Sequence, residues 1–195
     1  MIQLVATSPG KYTAVKTINA AGKLVTHAFI DTHMHLTDVF GDYNNAPARI
    51  SPDSIPYYRK KLSDTFGLSY FSETRDTTLT PLQLARCKEN FNIFMGYAKK
   101  MYDKGIQLRI GTDCPYGGKA LLSELLLLHE HGFSTTSILQ IASLNGAKAL
   151  GLDNQYGVIE KGKKANLLIW EKSPFVSYRN FLSSKTIIKE GVVLQ

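Results

Sequence analysis

The strongest constraint on this chain is the distance between two short extended runs that end in chemically capable residues. The first, Ala28 to Leu36, has β-branched and aromatic content and closes on Asp31-Thr32-His33-Met34-His35. The second, Ile106 to Ile110, runs into Gly111-Thr112-Asp113. From His35 to Asp113 is 78 positions, and a strand–helix–strand unit takes about 30 residues, so two or three such units fit between the runs. At 195 residues and 44% hydrophobic content the chain can form one globular domain, or one domain with a small satellite.

The segments around these runs define an α/β middle and β-rich ends. Val5 to Val25 alternates apolar residues with Gly10, Asn19 and Gly22, which predicts two small strands. Ser51-Pro52-Asp53 is a helix start before Ile55, Tyr58 and Leu62, and Thr65 to Thr80 shows no period. Leu79-Thr80-Pro81 opens a long helical pattern that closes at Lys104-Gly105. Helices are expected at Ala120 to His129 and Ser137 to Leu150, the latter stopped by Gly151. Beyond Asn154 come short strands: Gly157 to Ile159, Ala165 to Trp170, Thr186 to Lys189 and Val192 to Leu194.

Residues i and i+2 of a strand share a face, so His33 and His35 project together. Two neutral imidazoles side by side suit a zinc-like divalent ion, and a hydrolytic metal needs such ligands plus an open position. Asp113 ends its own strand, where a carboxylate can bind metal and move a proton. Read alone, Asp113 is also compatible with a helix N-cap or turn, and the histidine pair with two polar residues at a strand end. In parallel α/β barrels active groups sit at the C-terminal strand ends, which is where both runs carry theirs.

Four blocks in order carry a family resemblance: LVTHAFIDTHMHL with His33 and His35, LRIGTDCP with Asp113, the helix TTSILQIASLNGAKALGL, and YGVIEKGKKANLLIWEKSPF. The chain resembles the amidohydrolase superfamily, nearest its imidazolonepropionase-like and dipeptidase-like members. The resemblance implies an incomplete TIM-type (β/α) barrel, residues 28–153, with a small β-sandwich built from both ends, residues 1–27 and 154–195. It implies a metal-dependent hydrolase of an amide or cyclic amide C–N bond in a non-peptide or dipeptide substrate. His33, His35 and Asp113 would be metal ligands, the metal zinc, and Asp113 the catalytic group that passes a proton to the leaving nitrogen.

The chain departs from that pattern in its middle. The family also uses a lysine or acidic residue from a middle strand and a histidine from each of two later strands. The five histidines here are 27, 33, 35, 129 and 131, and none lies between His35 and Asp113. A full barrel takes about 250 residues, so most middle strands are missing and the site is expected to be impaired. The alternative is a non-catalytic remnant that binds or associates, including with its own copies through open barrel edges. Thr26-His27-Ala28 stands where Pro-Gly is usual, and Asn166 where Asp is usual.

Three other groups have competing readings. His129 and His131 could replace lost ligands, or sit near a helix C-terminus where the dipole favours them. Cys114 could be a nucleophile or soft ligand, although no histidine is near it in sequence. Trp170 could be sandwich core or a binding platform. The charge of +7, from 23 Lys+Arg against 16 Asp+Glu, is dispersed, with no aromatic–basic stripe, so no nucleic-acid partner is expected. No apolar span of about 20 residues predicts a membrane segment. With two cysteines and no signal peptide, the expected location is cytoplasmic and the expected partner a small amide substrate.

Overall fold

Pairing between the two ends of the chain organises the first of two units. In this computed structural model residues 1–7, 10, 13–33, 80–113 and 117–194 are described. Unit one comprises Met1–Thr32, Leu108–Ile110 and Ser134–Gln195; unit two comprises His33–Gln107 and Gly111–Phe133. The helix start at Ser51, the aperiodic stretch to Leu79, His35 and Cys114 lie outside the described residues.

Unit one holds a four-stranded antiparallel sheet in the order β1 (Leu24–His27), β2 (Leu167–Trp170), β3 (Lys185–Lys189), β4 (Val192–Leu194). Leu24 pairs with Trp170 and His27 with Leu167, so the N-terminal strand lies along a C-terminal one. Where a sandwich is expected, the ends form this one sheet among the described residues. β3 and β4 form a hairpin across Glu190 and Gly191, at φ 51° and 86°. Two successive left-handed residues give a turn whose twist matches that of the strands, and glycine takes the second position without strain.

One face of the sheet is built around Trp170, which is fully buried with Phe181 against it at 5.8 Å between ring centroids. Phe181 comes from a short 3-10 helix, Tyr178–Leu182. The indole N–H donates to Thr26 Oγ1 at 2.9 Å, so the polar edge of a buried ring is satisfied across the sheet. Trp170 is therefore core. Lys185 lies over its ring at 4.3 Å and donates to the carbonyls of Phe181 and Ser183 at 2.8 and 2.7 Å. Burial pushes its amine down to about 8.

Asn166 has a structural task that its apparent replacement of an aspartate conceals. Its Oδ1 accepts from the Glu190 N–H at 2.7 Å and its carbonyl from the Ala28 N–H at 2.8 Å. Either an amide or a carboxylate supplies that side-chain acceptor, so the change keeps the bond.

The expected strand over Ala28 to Leu36 differs from the structure. In the described part, alternate N–H groups leave for three separate segments: Ala28 to Asn166 O (2.8 Å), Ile30 to Ala142 O (2.8 Å) and Thr32 to Ile110 O (3.0 Å). The segment is extended in its bonding period yet forms no ladder with a single neighbour. Ile106 to Ile110 likewise is no ladder strand; Ile110 is bound by Thr32, and the Leu108 carbonyl accepts from Asn145 Nδ2 at 2.8 Å. The single expected helix over Ser137 to Leu150 is two, α3 (Thr135–Ala142) and α4 (Leu144–Ala149), broken at Ser143 with φ −131° and ψ −79°. The Ser143 hydroxyl donates to Leu139 O at 2.6 Å, the local competition with helix bonding that serine side chains offer.

Unit two contains α1 (Pro81–Asp103) and α2 (Gly117–Glu130). Thr80 caps α1: its hydroxyl accepts from Gln83 N–H at 3.3 Å, and Gln83 Oε1 accepts from Thr80 N–H at 2.8 Å. Pro81 at the first helical position loses no bond, and Gly105 at φ 89° follows the C-terminus. Phe91 and Met95 give α1 its buried side. Tyr102 meets Phe133 at 5.3 Å between centroids. No helix among the described residues is long and apolar enough to cross a membrane.

Candidate metal centre

The site is assembled from the two extended runs that the sequence singles out. His33 Nε2 lies 3.3 Å from Asp113 Oδ1, and the Asp113 N–H donates to the His33 carbonyl at 2.8 Å. The backbone bond places the two Cα atoms so that both side chains reach the same point. Both remain more than half exposed, at 62% and 56%. An ion pair so open to water adds little stability, so packing does not account for the juxtaposition.

Asp113 has φ 48°, in the left-handed region that aspartate enters more readily than most residues. It lies four residues before Gly117, where the described part of α2 begins. Its neighbour Thr112 is buried, which anchors the segment while the carboxylate points outward. Gly111 allows the two backbones to approach: a Cβ there would stand 2.7 Å from His33 Cβ.

The two groups fit a zinc-like ion. With metal–ligand bonds of roughly 2.0–2.1 Å, two ligands of a tetrahedral centre stand about 3.3–3.4 Å apart. His33 Nε2 and Asp113 Oδ1 have that separation, and a neutral imidazole with a carboxylate is a donor set such ions accept. Among the described residues no group of three or more His, Cys, Asp or Glu side chains comes together.

His131 and His27 have local tasks. His131 Nδ1 donates to Leu127 O at 2.8 Å, its Nε2 lies 3.2 Å from Asn92 Oδ1, and its ring meets Phe91 edge-on at 5.5 Å. It ties the end of α2 to α1 and is spent on that contact. His27 is buried; its Nδ1 donates to Ala28 O at 2.9 Å and its Nε2 accepts from Gly157 N–H at 3.2 Å. Burial first, opposed by the Ala28 carbonyl and aided by Lys163, holds its pKa below 6.5. Sequence reasoning treated His27 only as a departure from Pro-Gly; no local signal announces its partner 130 residues away.

His33 of the first run thus lies beside Asp113, which follows the second. Residues 71–193 match the model of the amidohydrolase family. The chain belongs to the amidohydrolase family, whose members are built on a TIM barrel. It is 30% identical over 103 residues to the imidazolonepropionase of Brevibacillus brevis, covering 49% of this chain and 24% of that one. It is 27% identical over 161 residues to the 5-methylthioadenosine/S-adenosylhomocysteine deaminase of Moorella thermoacetica, covering 72% and 38%.

Among solved structures, a Xaa-Pro dipeptidase with methionine bound in its active site aligns with TM-score 0.52 at 19% identity, covering 72% of this chain and 33% of that one. The ochratoxinase of A. niger aligns with TM-score 0.51 at 16% identity, covering 71% and 30%. These two likenesses bear on fold alone. The chain thus spans 24% to 38% of the length of the curated relatives named.

Proposed function

We propose that this chain is an amidohydrolase-type metal-dependent hydrolase of an amide or cyclic amide C–N bond in a small non-peptide or dipeptide substrate, with an impaired site. The observation that carries the reading is the 3.3 Å approach of His33 Nε2 to Asp113 Oδ1. The name of the deaminase relative denotes breaking a bond between carbon and nitrogen. In this reading residues 28–153 are a shortened barrel and residues 1–27 and 154–195 its β-sandwich.

A divalent metal, zinc in this reading, is held by His33, His35 and Asp113, and when bound it supplies Lewis-acid polarisation of the scissile carbonyl and of water. His33 fixes one side of the site through the backbone bond to Asp113. The Asp113 carboxylate takes the proton of the attacking water and delivers it to the leaving nitrogen. Its exposure leaves room for a substrate beside it. The missing middle-strand ligands weaken the hold on the metal, which is why the site is impaired. A cytoplasmic location belongs to the same reading.

The test is hydrolysis of a panel of dipeptides, N-acyl amides and cyclic amides with and without added zinc. A zinc-dependent rate that His33→Ala abolishes is expected. A rate that His33→Ala leaves unchanged contradicts the assignment, as does no rate at all with zinc supplied.

A second reading, a non-catalytic module that associates with its own copies, is favoured by one observation. Ile93, Phe94, Tyr97 and Met101, at helical spacing on α1, are 51%, 60%, 62% and 41% exposed. A monomer at all concentrations by light scattering contradicts it.

A further inference from the structure

The geometry points to Gly111 as the positioning residue that sets His33 against Asp113, an inference that rests on the metal reading above. The residue types alone suggest that this glycine is only the start of a turn. Its φ is not among the left-handed ones, so backbone freedom does not explain it. Space does. A Cβ built at 111 meets His33 Cβ at 2.7 Å, His33 N at 3.5 Å and His33 Cα at 3.6 Å.

The atom it meets is the first carbon of the imidazole arm, fixed to the backbone, so no rotamer change of His33 relieves the overlap. The Cα–Cβ direction of His33, which aims Nε2 at Asp113 Oδ1, has to move. The carbonyl of the same residue accepts the Asp113 N–H, so the shift also strains the 2.8 Å bond that sets the carboxylate. Gly111 touches neither substrate nor metal in this account. It acts through His33, and any side chain at 111 separates the two ligands.

Gly96 offers a matched control. It lies in α1, and a Cβ there meets nothing within 4 Å. A group that orients a ligand typically changes metal affinity about 10- to 100-fold when altered.

Two measurements decide the point. Cobalt(II) is titrated into the full chain and followed by its visible absorption. Gly111→Ala should weaken binding roughly 10-fold or more and alter the band, whereas Gly96→Ala should do neither. Thermal unfolding then compares Gly111→Ala in three backgrounds. It should lower Tm by roughly 5 °C or more in the wild type and in His33→Ala, which keeps the Cβ, and have little effect in His33→Gly, which lacks it.

If Gly111→Ala alone does not fold, the His33→Gly pair still reads the contact. An equal loss in all three backgrounds overturns the proposal, as does unchanged cobalt affinity in Gly111→Ala. A wild-type chain that takes up no cobalt sinks the metal reading and the role of Gly111 together; cobalt bound equally by wild type and Gly111→Ala sinks only the latter.

Discussion

The Gly157 N–H donates to Nε2 of His27 at 3.2 Å, which joins the last residue of β1 to a turn 130 residues later in the chain. A Cβ at 157 would meet Leu144 Cα at 2.9 Å, and Gly157 has φ 98°, so only glycine brings its N–H to this imidazole. The bond requires a neutral ring with its proton on Nδ1, where it serves Ala28 O.

Acid should therefore loosen this unit. Burial lowers the folded pKa of His27 below its ordinary 6.5, so below pH 6.5 the unfolded chain binds the extra proton first. The stabilisation is full above pH 6.5 and is lost as pH falls through the folded pKa. A loss on the order of 1 kcal/mol is expected, the value of one buried hydrogen bond. His27→Gln, which keeps an acceptor, should flatten the difference in Tm between pH 7 and pH 5.

Lys185 should give a second, alkaline signature. Its folded pKa of about 8 lies under the ordinary 10.5, so between these values the folded protein has released a proton that the unfolded chain retains. Stability rises with pH across that window and is lost as pH falls through about 8. Unfolding in denaturant at pH 8 and pH 10 should show the rise in the wild type and a smaller one in Lys185→Met.

Trp170→Ala should cost about 3–5 kcal/mol, because it empties a fully buried ring site and orphans the Thr26 hydroxyl. Trp170→Phe should cost less, since the packing against Phe181 is partly kept. Chemical denaturation of the two variants checks the order.

Gly96→Ala should stabilise the chain by about 0.5–1 kcal/mol, as a helix-interior glycine with open space beside it gains propensity and meets no clash. A lower Tm in this variant would contradict the position of Gly96 in α1.

Legibility from sequence followed the range of the interactions. Thr80, Pro81, Gln83 and Gly105 delimit α1 because caps act within a few residues, and the β3–β4 hairpin was readable from Gly191 between apolar runs. The pairing of Leu24–His27 with Leu167–Trp170 was visible only as two β-rich ends. Ala28 to Thr32 misled as a strand because its residue pattern is extended, while its partners Asn166, Ala142 and Ile110 are scattered through the chain. Of the candidate site, His33 and Asp113 were named from motif context. Gly111 was not, because a close approach leaves no trace in spacing.

The most direct measurement is zinc binding by calorimetry and elemental analysis on the wild type, His33→Ala and Asp113→Ala. The account predicts that the wild type takes up zinc and that each variant binds it at least about tenfold more weakly, since each removes one ligand. A wild-type chain retaining less than about a tenth of an equivalent after zinc is supplied, or variants that bind as the wild type does, would contradict it.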